Sequence, residues 1–456
     1  MVESKRVRTL KEKARKESIK EGIFASARLS FGDRYIQPFA IAINASNPIV
    51  ALLGSIGGLL GPLSQLRGSR KIEKKPRKKI VTRAVLLESL SWLLFISIGI
   101  LFYFNIITEI LPLAILFSFA IFTLLANFAV PAWFSWVGDI VDEEYRGRWF
   151  SKRNLLTGFF SIILSIIAAV SLDFFKKNNW TIWGFLLLFS LAMTFRLLSW
   201  KAFKRQYEPK IKLEKGYYFT FWQFIKNAPK NNFGRFAIFR GCLAFSISIT
   251  STLIAIYLLR YLNFSYVLYM TVTLVGTGLS LLLLELWGKI ADIYGNYKVI
   301  AMTMVITPII PILWILGHTP IYLLLIPSFL GAVAWDGFVL ASGNLIYDNV
   351  SPQKRGIAIS YLNLLIGIGI FLGAGLGALL IGILNLSFIE PIVAIFIIGS
   401  LARMLVVYIF LPKFKEIRKT KNPKPKEIEK MIFKEVKPTI VEETHQLISV
   451  KKYFSQ

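Results

Sequence analysis

Between residues 22 and 411 the chain is a succession of apolar runs, each close to the ~20 residues that cross a bilayer core as a helix. They fall near 22–44, 47–66, 80–104, 111–138, 153–174, 182–200, 236–259, 266–287, 297–317, 320–347, 357–383 and 388–411. In lipid every backbone N–H and C=O must be satisfied inside the protein, so runs of this length fold as helices. Hydrophobic residues make up 55% of the 456 residues and the mean hydropathy is +0.58, more apolar surface than a soluble domain can hide. The fold class that follows is an all-α membrane protein with twelve transmembrane helices. Residues 1–21 are densely charged and lack the apolar core of a cleavable signal, so the first span is expected to act as the insertion signal.

The formal net charge is +28. In a soluble chain that would suggest nucleic acid, but here the cations collect in alternate loops. One set holds Lys5 to Lys20, Arg67 to Lys79, Arg146 to Lys152, Lys201 to Lys215, Lys289, Lys298, Lys354, Arg355 and the tail from Lys413; the other has little beyond Lys176, Lys177 and Arg260. That asymmetry is the positive-inside pattern. It predicts a multi-pass protein of the cytoplasmic membrane with both termini in the cytoplasm and no nucleic-acid partner. Cys242 is the lone cysteine, and His318 and His445 are the only histidines, far apart in sequence. No internal disulfide, metal site or cofactor is expected. A G-x-x-x-x-G-K-[ST] loop is absent, which argues against ATP hydrolysis within this chain, and no convergent catalytic set points to an enzyme.

One stretch is written twice. Residues 139–158 read DIVDEEYRGRWFSKRNLLTG and residues 348–367 read DNVSPQKRGIAISYLNLLIG. Asp139 and Asp348, Arg146 and Arg355, and Ser151 and Ser360 each stand 209 residues apart, close to half the chain. Each copy leaves one apolar run, crosses a basic turn and enters the next. A parallel duplication in a membrane protein points to a transporter built as two pseudo-symmetric six-helix bundles. The expected organisation is a basic N-terminus (1–21), an N-terminal bundle (22–200), an interdomain connection (201–235), a C-terminal bundle (236–411) and a basic tail (412–456). Within the connection, YYFTFWQF (217–224) reads as an amphipathic segment at the cytoplasmic interface.

The loop GKIADIYGNYK (288–298) resembles the G-x-x-x-D-x-x-G-[RK] loop of the major facilitator superfamily, through Gly288, Asp292 and Gly295. The corresponding GPLSQLRGSRK (61–71) keeps Gly61, Gly68 and Arg70, with Gln65 where the family has Asp. The doubled Arg-Gly turns resemble the same family's loops, and the resemblance covers roughly 22–411. It implies a cytoplasmic gate made of Gly61, Gln65, Gly68, Arg70, Gly288, Asp292, Gly295, Arg146 and Arg355. In that gate Asp292 would sit against the start of span five and Arg146 or Arg148. Span five lacks the Gly-Pro motif of the family's drug/proton antiporters, which speaks against drug efflux. Arg196 and Arg403, echoed near the ends of spans six and twelve, are expected to snorkel to the interface.

The family's cavity-lining spans (one, four, seven and ten) hold the remaining candidates. Asp33 lies eleven residues into span one, roughly 16 Å deep at 1.5 Å per residue. A carboxylate there costs several kcal/mol unless paired, watered or protonated. Gln37 shares its stripe, Arg34 is adjacent, and Pro38 is expected to bend the helix. The 209-residue offset pairs Asn127 in span four with Asp336 in span ten. Trp136, Tyr257 and Trp335 complete a predicted substrate and proton cavity. Either acid could carry a proton, or could sit in a permanent pair with Arg28, Arg34 or Arg240. Glu88 is expected to pair with Arg83 or a neighbouring span, and Glu285 to join the Asp292 loop. The function expected is a monomeric secondary active transporter moving a small solute by alternating access and coupled to protons. The alternatives are a non-transporting receptor or scaffold of the same fold, or a lipid flippase.

Overall fold

The structure, a computed structural model, describes residues 5–72, 74–141, 146–209, 220–385 and 389–417. Every regular element among them is helical. Ten helical stretches are long and apolar enough to cross a membrane. Together with the first rod and the eighth, this is consistent with the twelve predicted spans.

The described residues pack into two compact units. One comprises Met1–Lys215, Ile247–Met270 and Asn363–Ile395; the other comprises Gly216–Ser246, Thr271–Leu362 and Phe396–Gln456. The units cut across the expected halves, because two segments of the second half pack with the first.

The first unit is entered through α1 (Lys5–Phe31), which starts well inside the N-terminal segment set apart in the sequence. A 3-10 turn at Asp33–Tyr35 interrupts the rod, which resumes as α2 (Ile36–Ala42). The break falls at Gly32, not at Pro38. Pro38 sits in the first turn of α2, where its missing N–H has no intrahelical partner to lose. The Trp92 ring fills the space a Cβ at residue 32 would need. There follow α3 (Asn47–Ile72), α4 (Arg77–Tyr103), α5 (Leu111–Phe128) with α6 (Val130–Ile140), α7 (Arg146–Lys177) and α8 (Thr181–Arg205). Lipid tails are as apolar as leucine, so helix association here rests on close packing and polar contacts. The packing is aromatic: Phe39, Trp92, Phe95, Phe122 and Phe189 meet at ring separations of 5.0–6.3 Å.

In the second unit, the connection forms a short helix, α9 (Phe221–Asn227), opened by a capping box between Thr220 and Gln223. Residues 217–219 of the predicted amphipathic segment lie outside the described residues. Then come α10 (Asn232–Ser251), whose residues from Ile247 belong to the first unit, and α11 (Ile254–Ile256) and a π-helical turn at Tyr257–Tyr261, both wholly in the first unit. The remaining rods are α12 (Tyr266–Tyr294), α13 (Asn296–Ile306) with α14 (Ile310–Leu316), α15 (Pro320–Leu323) and α16 (Phe329–Asn349), α17 (Pro352–Ile383) and α18 (Pro391–Phe410); α12 up to Met270, α17 from Asn363 and α18 up to Ile395 belong to the first unit. Beyond α18 the chain does not leave at residue 412. Phe414 is buried against Phe236, Phe239 and Tyr297.

Candidate functional site

The first unit holds a chain of alternating charges between its helices. Asp33, at the helix break, lies 2.9 Å from the Arg28 guanidinium. Arg28 also reaches Glu88 on α4 at 3.1 Å, and Glu88 meets Arg196 on α8 at 2.6 Å. Arg196 approaches Glu21 at 3.7 Å, and Glu21 pairs with Arg153 on α7 at 3.0 Å. The Ser199 hydroxyl donates to Glu21 at 3.2 Å and accepts from Arg196 at 3.1 Å. Three carboxylates thus balance three guanidinium groups across four helices. Spacing explains the placement: Glu21 and Arg28 are seven residues apart on one face of α1, turned toward α4, α7 and α8.

Burial along the chain is uneven. Glu88 is 0% and Glu21 3% exposed, whereas the Asp33 side chain is 24% exposed. Asp33 also has one cationic partner where Glu21 and Glu88 each have two. Neutralising Asp33 leaves Arg28 still paired with Glu88. Neutralising Glu88 strips a contact from both the buried Arg196 and the half-buried Arg28. Asp33 is therefore the carboxylate of this charge network whose replacement leaves its arginine with an acid partner and strips only one contact. Arg196 does not snorkel to an interface; the buried acids on α1 and α4 hold it inside. Glu88 reaches the neighbouring helices and not Arg83.

The other predicted cavity residues of this unit have specific partners. Arg34 donates to the Ser161 hydroxyl at 3.2 Å. The Gln37 amide points at the carbonyls of Val50 and Thr252, at 3.4 and 3.5 Å. Asn127 accepts from the Gln65 amide at 2.9 Å, so a predicted cavity residue and a predicted gate residue form one contact between α3 and α5. A Cβ on Gly61 would sit 3.5 Å from the same Asn127, and Gly68 abuts the Phe128 carbonyl. Trp136 is fully buried among Val81, Val85, Ala132 and Phe203, and its indole N–H donates to the Tyr207 carbonyl at 2.9 Å. Its ring is spent on helix packing and does not face open space. Tyr257 is also buried.

In the second unit, Asp336 is 6% exposed and accepts from the Ser280 hydroxyl on α12; its other oxygen has no hydrogen-bond partner among the described residues. Arg240 stacks on Phe338 at 4.6 Å. Trp335, next to Asp336, is 44% exposed. Arg403 is buried and donates to the Thr307 carbonyl at 3.3 Å, so it too stays inside. Of the gate residues, Gly288 has open space beside it, Asp292 is exposed, and Gly295 turns the chain into α13 at φ 93°. Arg355 donates to the carbonyls of Tyr347 and Val350 at 3.4 and 3.3 Å, closing the end of α16. Arg70 is exposed at the end of α3. The side chains of Arg146, Arg148 and Glu285 lie outside the described residues.

The duplicated acids do the same work twice. Asp139 takes a hydrogen bond from Arg77 at 2.6 Å, and Asp348 takes one from Asn296 at 2.9 Å. Arg77 and Asn296 open α4 and α13, the third helix of each half, and both are buried. The chain after the sixth and twelfth helices folds back onto the same places. Arg77 donates to the Pro209 carbonyl at 3.0 Å, and Glu416 accepts from the Tyr297 amide at 2.9 Å.

Sequence reasoning missed a clasp at the sparsely charged ends of the first unit's helices. The backbone N–H groups of Tyr266 and Val267, at the start of α12, donate to the two carboxylate oxygens of Asp173 at 2.8 and 2.9 Å. A carboxylate there satisfies orphan donors and meets the positive end of the helix dipole. Beside it, Arg260 donates to the Asn47 side chain and the Ala45 carbonyl, and the Ser55 hydroxyl donates to the Phe371 carbonyl at 2.8 Å. These contacts join spans one, two and five to spans seven, eight and eleven. A lone acid at the end of span five was the available signal.

The family model described as Major Facilitator Superfamily matches residues 236–454. No curated protein sequence matches the chain. Among solved structures, a bacterial homologue of the iron transporter ferroportin in an inward-facing state is similar, with TM-score 0.69 and 15% identity over 90% of this chain and 99% of that one. The nucleoside transporter NupG gives 0.63 and 15% over 89% and 99%. A bacterial homologue of the human lysosomal transporter Spinster, inward-facing and unoccupied, gives 0.57 and 13% over 97% and 99%.

Proposed function

We propose that the chain, whose residues 236–454 match the Major Facilitator Superfamily model, is a member of that family of membrane transporters, a secondary active transporter that moves a small solute by alternating access and draws on the proton gradient through Asp33. The observation that carries the reading is the position of Asp33: the most exposed acid of a charge-balanced buried chain, sharing its single arginine with Glu88. A proton on Asp33 frees one face of Arg28 without stranding it. That coupling alters the charge at a helix break, where a small backbone change redirects α1 against α2.

In this account the Asp173 and Arg260 contacts hold the sparsely charged side shut and must open once per cycle. The Lys and Arg distribution supports cytoplasmic termini in a cytoplasmic membrane. The cargo is not transferred from the neighbours, whose identity is at most 15%. They include a nucleoside transporter and a bacterial homologue of an iron transporter, which makes those solutes the first to try. The test is uptake into proteoliposomes from a solute panel, with an inward or outward pH gradient and with a protonophore. Solute accumulation that collapses with the gradient supports the proposal. Accumulation indifferent to the protonophore, or no flux of any solute, contradicts it.

A further inference from the structure

A cavity of about 430 Å³ opens between the ends of α3 and α4 and the side of α5. Five cations line it at a regular interval of four residues: Arg67 and Lys71 from α3, Lys75 from the turn, and Lys79 and Arg83 from α4. All five are exposed, and no acid among the described residues lines the cavity. Glu73 lies outside the described residues. The opposite wall is apolar, built from Leu87, Leu124, Leu125 and Phe128. Leu87 is 51% exposed, and Leu90 and Leu93 continue that exposed ridge along α4, the surface a bilayer covers. From Lys79 to Leu87 the wall changes from cationic to hydrocarbon over about 12 Å of helix rise.

Each half of that lining excludes a different class of occupant. A soluble anion has no use for the leucine wall, and a neutral lipid has none for five cations. We propose that this cavity binds an anionic phospholipid of the leaflet that faces the basic loops. Its phosphodiester would lie among Lys71, Lys75, Lys79 and Arg83, and an acyl chain would run along Leu87 toward Leu124. Basic pockets between transmembrane helices on the positive side suit such headgroups, each cation near the surface adding to the attraction. The cavity also touches the α3–α5 contact, since Ser64 lines it and donates to the Leu124 carbonyl at 2.6 Å. An occupied site would therefore brace α3 against α4 and α5.

The test uses the full chain in phosphatidylcholine nanodiscs carrying a rising fraction of phosphatidylglycerol, with retained lipid counted by native mass spectrometry. Lys71→Gln/Lys75→Gln/Lys79→Gln is compared with Lys201→Gln/Lys204→Gln/Arg205→Gln, which removes the same charge at the end of α8. The wild type and the α8 variant are expected to retain one phosphatidylglycerol. The cavity variant should need at least a tenfold higher fraction. All six residues are exposed or at helix ends, and size-exclusion profiles check that both variants fold. Equal loss in both variants would mean general charge attraction, and no loss in either would mean no site. Displacement of the lipid by millimolar glycerol phosphate would mean a soluble-anion site. Each of these three results overturns the proposal.

Discussion

Removing the charge of Glu88 should be among the most damaging single changes in the first unit. Glu88 is 0% exposed, 2.6 Å from Arg196 and 3.1 Å from Arg28. With charge centres about 4 Å apart and an effective dielectric near 20, each contact contributes about 4 kcal/mol of attraction. Glu88→Gln gains back several kcal/mol of carboxylate desolvation, but it leaves a buried chain of three arginines facing two acids. The net loss expected for breaking such a pair is about 3–5 kcal/mol. Unfolding by denaturing detergent in mixed micelles measures it. The double variant Glu88→Gln/Arg196→Gln restores charge balance, and should lose about 2 kcal/mol less than the two single losses combined. A Glu88→Gln loss below about 1 kcal/mol, or strictly additive losses, would refute the idea that these side chains act as one electrostatic unit.

Asp173→Asn should weaken the cap on α12 by about 1 kcal/mol, and hydrogen exchange at Tyr266 and Val267 should quicken several-fold; unchanged exchange would remove Asp173 from the clasp. Gly68→Ala places a Cβ within 2.2 Å of the Phe128 carbonyl oxygen, so α3 and α5 must separate. A loss of about 1–3 kcal/mol is expected. Gly61→Ala, whose Cβ would meet Asn127 at an ordinary 3.5 Å, serves as the control. Equal stability of the two variants would contradict the close crossing.

The rods, their approximate ends and the duplication were legible in sequence because bilayer length and apolar periodicity are local properties. So was Asp33, since an acid inside an apolar run must be accounted for. Its partner was narrowed to three arginines but not chosen, because pairing depends on where the helix breaks. The break at Gly32 depends in turn on the Trp92 ring, 60 residues away in sequence. Glu21, Arg153 and Arg196 stand near the ends of apolar runs, where composition does not separate them from topology signals; only packing across α1, α4, α7 and α8 gathers them. Trp136 shows the opposite failure. Its place near a polar stripe suggested a cavity wall, but a ring of that size on a helix facing α4 and α8 is held by packing and one carbonyl. The Asn127–Asp336 offset located a half-buried amide and a buried acid with unlike partners, the Gln65 amide and the Ser280 hydroxyl.

Proton coupling through Asp33 is tested most directly by measuring two activities of one variant in proteoliposomes. Asp33→Asn is expected to keep solute counterflow, which needs the conformational cycle alone, and to lose accumulation driven by an imposed pH gradient. Gradient-driven accumulation by Asp33→Asn at the wild-type level would contradict the account.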